Sequence, residues 1–261
     1  MREPYQILVC EFMAQQTQAS RVAATFDAWM ERFPTVQALA AAKRDDVLRE
    51  WQGLGYNRRA VALHETARAI VSMHGGIVPS EVDVLLSLPG VGPYTAAAVA
   101  SIAFGIPVVA MDTNIRRVAA RVLHGAEPDE IPAPRLRKDA QAWLDPRDPG
   151  AWNQAVMDVG ASLCRPRSPR CDACPLHAIC RFRARGLVGR SSVRRQPAFH
   201  GSTRQLRGAV VRVLSTDGPC SLGQVADGTG ATAERLDAVL VALIRDGLIE
   251  RTATGSLQLH S

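Results

Sequence analysis

The stretch Leu86–Val118, LSLPGVGPYTAAAVASIAFGIPVVAMDTNIRRV, carries the strongest signal in the chain. A Gly-Val-Gly turn at 90–92 precedes a helix of small residues that begins near Pro93. Glycine permits positive φ angles and a close backbone approach, and a helix N-terminus presents free amide groups to an anion. A single carboxylate, Asp112, follows the apolar run 106–111. An anion-binding turn and a carboxylate this near in sequence suggest chemistry performed on nucleic acid.

The composition is that of a soluble globular protein. The 261 residues can form one large or two modest domains, and 47% are hydrophobic and 21% charged. No apolar run reaches a membrane span and no signal peptide is recognisable, so we expect a cytoplasmic protein without a membrane partner. The net charge is +6, and the segment 181–212 holds nine arginines and no acidic residue. Such a segment contacts phosphates or forms a solvated linker.

Helical periodicity predicts an all-α main domain followed by a small separate module. Predicted helices of the main domain lie at 4–16, 18–33, 35–42, 45–51, 59–73, 80–88, 93–104, 135–143 and 151–163. The module, Gln205–Ser261, is predicted to contain helices at 205–214, 222–227 and 232–246 and strands at 248–252 and 256–260. Three helices and a terminal hairpin suggest a winged helix, and a helical cap that packs on the main domain is the alternative.

Two isolated carboxylates have both a structural and a catalytic interpretation. Glu11 lies among Cys10, Phe12 and Met13, where burial would raise its pKa and suit it to act as a general acid. The local sequence alone favours the structural interpretation, a boundary residue bonded to nearby backbone. Asp112 stands where a helix N-cap is expected, and capping and catalysis do not exclude each other.

Four cysteines form a cluster, C-x6-C-x2-C-x5-C, at Cys164, Cys171, Cys174 and Cys180. A cytosolic chain has little use for two disulfides so close together, so a metal or cluster site is favoured. Zinc prefers two C-x2-4-C pairs, and only one is present. The uneven spacing fits an iron–sulfur cluster better.

Taken together, these motifs resemble those of one enzyme family. The matching segments are CEFMAQQTQ around Glu11, GLGY at 53–56, LPGVGPYTAAA at 88–98, MDTNIRRV at 111–118, NQAVMDVGASLC at 153–164 and the four cysteines. In this order they are similar to MutY-type adenine DNA glycosylases of the helix-hairpin-helix, endonuclease III-like family, over about residues 4–185.

The resemblance implies a two-lobed, all-α helix-hairpin-helix glycosylase domain at 1–190. A six-helix barrel would occupy about 24–125, and a lobe with an iron–sulfur cluster loop would combine 1–23 with 126–190. A basic linker at 191–204 would join this domain to the winged-helix-like module at 205–261. The expected partner is double-stranded DNA with a mispaired base, bound by a monomer that associates with the bacterial nucleoid.

The resemblance also assigns roles to residues. Glu11 would protonate the flipped-out adenine and Asp112 would stabilise the cationic sugar, with Tyr94 and Asn114 in support; N-glycosidic cleavage needs both kinds of group. Gln15, Gln16 and Tyr56 would enter the duplex as a wedge. The turn at Gly90, Val91 and Gly92 would bind a phosphate, and Gln154 would lie near the adenine pocket. The four cysteines would bind a structural [4Fe-4S] cluster.

Position 94 indicates the type of reaction. Endonuclease III-like relatives carry there a lysine that forms a Schiff base and cuts the strand, whereas tyrosine cannot. The resemblance therefore implies a monofunctional glycosylase that acts on adenine opposite guanine or 8-oxoguanine. Thymine and uracil mismatch glycosylases for G:T and G:U pairs also carry Tyr and Asp, although QQTQ at 15–18 and Gln154 favour adenine. A DNA-binding protein with little turnover is the other alternative.

Two departures from the family pattern create further expectations. MutY-like proteins usually have an upstream Leu-Pro-Trp segment that helps to line the adenine pocket, and this sequence begins almost at the helix of Glu11. We therefore expect an unusually open pocket or a start that lies farther upstream. The family's larger C-terminal domain, which inspects 8-oxoguanine, cannot fit within 205–261, so the preference for 8-oxoguanine over guanine stays open.

Overall fold

A computed structural model of the chain describes residues 3–190 and 198–261. These residues form fourteen α-helices and two short strands, as the all-α prediction expects. Helices of the main domain are α1 (Pro4–Ala14), α2 (Ala19–Arg32), α3 (Val36–Ala41), α4 (Arg44–Glu50), α5 (Arg58–His74), α6 (Val82–Ser87), α7 (Pro93–Phe104), α8 (Thr113–Ala119), α9 (Ala133–Trp143), α10 (Pro149–Ser162) and α11 (Arg181–Ala184). The module contains α12 (Thr203–Asp217), α13 (Leu222–Thr229), α14 (Ala233–Arg245), β1 (Ile249–Arg251) and β2 (Leu257–Leu259).

The chain divides into two compact units. The first comprises the described residues of Met1–Leu8, Pro79–Ser87 and Val91–Arg195, and the second those of Val9–Val78, Leu88–Gly90 and Gln196–Ser261. None of the described helices is long and apolar enough to cross a membrane. The domain boundaries inferred from the sequence stay predictions, and residues 191–197 of the predicted linker lie outside the described part of the chain.

Aromatic side chains form the centre of the second unit. The Trp29 ring lies 4.9 Å from the Phe33 ring and 5.4 Å from the Trp51 ring, both edge to face. All three side chains are fully buried, and α3 and α4 pack against α5 beside them. Edge-to-face pairs add to the hydrophobic stabilisation from burial. The Trp51 indole N–H donates to the Gly55 carbonyl at 3.1 Å, so this core is bonded to the predicted DNA-contacting loop before α5.

The C-terminal module belongs to the second unit. Helix α12 packs against α13, α14 and β2, and also against α4 of the main domain. The strands pair antiparallel, with Ile249 opposite Leu259. Helix α12 begins two residues before the predicted Gln205, because the Ser202 hydroxyl accepts a hydrogen bond from the Gln205 backbone and caps the helix there. The three helices and the hairpin are present as predicted.

In the first unit, α8, α9 and α10 bury a common core that includes Ile115, Val118, Leu136 and Val156.

The structure also shows two features that the sequence pattern did not predict. Helix α8 continues into a π-helical segment, Ala120–His124. Helix α1 ends at Ala14 instead of residue 16, because the backbone leaves the helical conformation before Gln16.

Candidate active site and cluster loop

Glu11 lies on α1 in an apolar setting. Its side chain is half-buried, its Oε2 atom is shielded from solvent, and the neighbours Phe12 and Met13 are fully buried. Burial raises the pKa of the adjacent Cys10 thiol, and the negative charge of Glu11 raises it further. A partly buried carboxyl group is a candidate to deliver a proton to a bound group.

Arg59 joins the end of α1 to the loop before α5. Its guanidinium donates five hydrogen bonds, to the carbonyl oxygens of Phe12 (2.8 Å), Met13 (2.9 Å), Leu54 (3.1 Å) and Gly55 (2.9 Å) and to Oγ1 of Thr17 (2.9 Å). Burial lowers the pKa of Arg59 to about 10, so the group stays charged at neutral pH. This role was not predicted, because an arginine beside a predicted DNA-contacting loop suggests phosphate contact.

Gln16 and Tyr56 have an unusual backbone conformation. They are the non-glycine residues with positive φ in the described part of the chain, at 56° and 48°. Each such residue costs on the order of 1–3 kcal/mol and persists only where the surroundings impose it. The hydrogen bonds of Arg59 to both loops supply that constraint. Both residues belong to the predicted DNA wedge, and the Tyr56 side chain is 37% exposed.

The Gly-Val-Gly turn is closely packed. Gly90 has φ +73°, and a Cβ atom there would lie 2.6 Å from the Ala62 Cβ and 3.2 Å from a Phe12 ring carbon. The Thr66 hydroxyl donates to the carbonyl of the preceding Pro89. Glycine is therefore required by both conformation and space.

The other two residues of the turn can reach a ligand only through the backbone. The Val91 side chain is buried, so a contact at this position must use its main-chain amide. Gly92 is the N-cap of α7 and has no side chain. Both features suit a backbone grip on an anion.

Asp112 caps α8, as expected from the sequence. Its Oδ1 accepts from the Ile115 backbone N–H at 2.6 Å, and its Oδ2 accepts from Asn114 Nδ2 at 2.8 Å. The side chain is half-buried. These two bonds hold the carboxylate in one orientation while leaving it partly accessible.

A chain of hydrogen bonds extends from this carboxylate to the start of the cysteine loop. Asn114 Oδ1 accepts from Arg117 Nη2 at 2.9 Å, and Arg117 Nε donates to the Cys164 carbonyl at 2.6 Å. Gly160 permits the close approach, since a Cβ atom there would lie 2.5 Å from the Asn114 Cβ. Arg117 was not predicted, because its partners Gly160 and Cys164 are distant in sequence.

Asn153 holds the segment that leads to Asp112. It is fully buried, accepts from the Ala110 backbone N–H at 2.9 Å and donates to the Val108 carbonyl at 2.9 Å. The neighbouring Gln154 is half-buried, and the Tyr94 hydroxyl donates to Met157 Sδ at 3.4 Å. The amide of Asn153 thus replaces a strand partner for residues 108–110.

The four predicted cysteines line one cavity together with the apolar side chains of Val118, Val122, Leu176 and Phe182. In the described residues, no three His, Cys, Asp or Glu side chains are arranged to hold a single metal ion. The four thiols line this one cavity, and cysteine thiolates are the donor type that holds an iron–sulfur cluster.

A buried arginine stabilises the same loop. Arg121 donates to the carbonyls of Arg165 (2.9 Å) and Pro166 (2.7 Å) and forms a 2.8 Å ion pair with Glu127. Its Nη1 also lies 3.5 Å from Cys164 Sγ. Neither Arg121 nor Glu127 was predicted, although charged residues in an apolar helix are a usable signal.

Comparison with known proteins places the chain in a family. Residues 9–145 match the model of the HhH-GPD superfamily base excision DNA repair proteins. An adenine DNA glycosylase of Mycolicibacterium smegmatis is 44% identical over 258 residues, 98% of this chain and 87% of the relative. The human adenine DNA glycosylase is 43% identical over 187 residues, 70% of this chain and 34% of its own length.

A solved structure shares the fold. A thermostable thymine-DNA glycosylase superposes with a TM-score of 0.66 at 29% identity, covering 71% of this chain and 86% of its own. Because the alignment with the Mycolicibacterium smegmatis protein covers 98% of this chain, it includes most of the C-terminal module. The alignment with the human protein covers 70% of the chain, which does not require the module to be included. The chain belongs to the HhH-GPD superfamily of base excision DNA repair proteins and, within it, to the adenine DNA glycosylases.

Proposed function

We propose that this protein is a monofunctional DNA glycosylase that removes adenine mispaired with guanine or 8-oxoguanine. The similarity to an adenine DNA glycosylase over 98% of the chain is the observation that carries this proposal. The half-buried Glu11 and the rigidly held Asp112 supply the two groups that the chemistry needs. Binding as a monomer to double-stranded DNA is part of the same proposal.

The mechanism follows from the two carboxyl groups. The target adenine must first leave the base stack. Protonated Glu11 donates its proton to the base, so that adenine departs as a neutral molecule when the bond to the sugar breaks. The electron pair of that bond leaves with the base, and the cationic sugar is stabilised by ionised Asp112. Water then adds to the sugar carbon and gives its proton to the Glu11 carboxylate, which leaves an abasic site and restores the acid.

We assign the DNA contacts to three groups of residues, namely the wedge, the glycine turn and the residues near the adenine. Gln15, Gln16 and Tyr56 would enter the duplex, with Arg59 holding their loops in place. The amides of the turn at Gly90, Val91 and Gly92 would bind a phosphate. Gln154 would contact the adenine. Tyr94, with its hydroxyl against Met157, would support Asp112 without forming a covalent link to the sugar.

A panel of duplexes tests this function. The protein is incubated with adenine opposite 8-oxoguanine, adenine opposite guanine, and thymine or uracil opposite guanine, and abasic sites are then cleaved with alkali. We expect adenine excision, with no strand cleavage before alkali treatment. The fold similarity to a thymine-DNA glycosylase makes thymine the second candidate. Excision of thymine or uracil without adenine would refute the proposal.

We further propose that Cys164, Cys171, Cys174 and Cys180 bind a [4Fe-4S] cluster. The cluster would stabilise the loop after α10, whose carbonyls Arg121 and Arg117 already hold. Its role would be structural.

Replacing Cys174 with Ser should remove the brown colour of the cluster and most of the folded protein. A loop without its cluster leaves the cavity beside Val118 and Phe182 open to solvent. Absorbance near the visible cluster band and the yield of soluble protein measure both effects. Cys220, buried in the C-terminal module, provides a matched control as Cys220→Ala. Equimolar zinc without iron in the native protein would contradict the cluster.

A further inference from the structure

Tyr56, a predicted wedge residue, is held by the C-terminal module as well as by Arg59. Arg204, in the first turn of α12, donates from Nη1 to the Tyr56 hydroxyl at 3.2 Å. The Arg204 guanidinium also lies 5.9 Å from the Tyr56 ring centroid and 5.4 Å from the Phe199 ring centroid. All three residues belong to the second unit. Tyr56 is 37% and Phe199 51% exposed, so two aromatic rings and one cation share a surface.

Three further arginines of the same unit surround one carboxylate. Asp246, at the end of α14, is approached by Arg207 at 2.7 Å, Arg245 at 3.7 Å and Arg58 at 3.9 Å. The Asp246 side chain is only 8% exposed, whereas those of Arg58 and Arg245 are 73% and 77% exposed. One buried carboxylate thus anchors three arginines, two of which keep most of their surface in solvent. The resulting patch has an excess of positive charge.

We propose that Phe199, Arg204, Arg58 and Arg245 form a DNA-binding surface of the C-terminal module, continuous with Tyr56. Exposed aromatic rings interleaved with arginines bind nucleic acid by stacking and phosphate contact. A guanidinium has five N–H groups, so Arg204 can bond to Tyr56 and to a phosphate at the same time. The inference rests on the proposed function, because it takes DNA as the ligand at Tyr56.

This surface is not the one that a winged helix uses to contact a DNA groove. The α14 helix, which would enter the groove, carries Glu234 and Asp237 near its start, and Arg235 there donates to the Gly201 carbonyl. Base recognition by this helix is therefore disfavoured. The module would instead act through the segment before α12 and the end of α14, next to the wedge.

DNA binding measured by fluorescence anisotropy at several salt concentrations tests the inference. The probe is a duplex in which the target adenosine carries a 2′-fluorine, which prevents excision. We expect Arg204→Ala to weaken binding about 5- to 100-fold and to reduce the slope of log K against log salt by about 0.9, the value for one lost phosphate contact. Phe199→Leu should weaken binding while leaving the slope unchanged, since it removes a stacking face and no charge.

Arg212→Ala is the matched control. Arg212 is exposed and lies two turns farther along α12, so its loss should leave affinity and slope at the wild-type values. If Arg204→Ala does not fold, Arg204→Lys replaces it and should keep the slope while losing affinity. Wild-type affinity and slope for both Arg204 and Phe199 variants would overturn the inference. A wild-type protein that binds the fluorinated duplex but excises no adenine from the same duplex without fluorine would refute the proposed function alone.

Discussion

Glu11→Gln should bind a mispaired duplex with nearly wild-type affinity and excise no measurable adenine. Glutamine has the shape of the protonated acid but cannot give up a proton, and a positioned general acid contributes about 10²–10⁴-fold to the rate. The surrounding Phe12 and Met13 are buried apolar residues, so a neutral amide fits the site without new charge. Single-turnover excision and binding to a 2′-fluorinated duplex measure the two properties separately.

Glu3→Gln is the matched control for this change. Glu3 is exposed and precedes the same helix, so the variant loses one carboxylate of the same type without touching the apolar site. Its excision rate should equal that of the wild type. If Glu11→Gln retained a rate within about tenfold of the wild type, the general-acid contribution of Glu11 would be too small for the proposed mechanism.

Helix starts that depend on a local sequence signal were predicted correctly. Pro93 at the first turn of α7 and Asp112 at the cap of α8 are signals that need no tertiary context, and both elements begin where expected. The strongest disagreement lies at the end of α1. There Gln16 adopts positive φ although glutamine favours a helix, because tertiary hydrogen bonds outweigh local propensity.

The arginines that bond to the loops around the candidate site residues could not be predicted from local sequence patterns. Arg59 and Arg117 each donate to a backbone carbonyl 47 residues away, on Phe12 and Cys164. An arginine that binds backbone carbonyls has the same sequence signature as one that binds DNA. Their burial and partners are properties of the folded chain, so only the structure separates the supporting arginines from those available to a phosphate.

Asp112→Asn should lower the excision rate by about 10²–10³-fold while leaving the fold almost intact, the range measured for the loss of one electrostatic group in an active site. Asparagine caps helices as well as aspartate does, so its Oδ1 can still accept from the Ile115 N–H. The bond from Asn114 is lost, because the new amide nitrogen cannot accept it.

The change therefore removes the charge that would face the cationic sugar and keeps the structural role of the side chain. Asp148 offers the matched control, since it caps α10 by accepting from the Ala151 N–H at 3.0 Å. Asp148→Asn should show the same small change in melting temperature and no loss of excision. Comparable excision by the two variants would mean that Asp112 serves as a helix cap alone, and the stabilisation of the sugar cation would then have to come from another group.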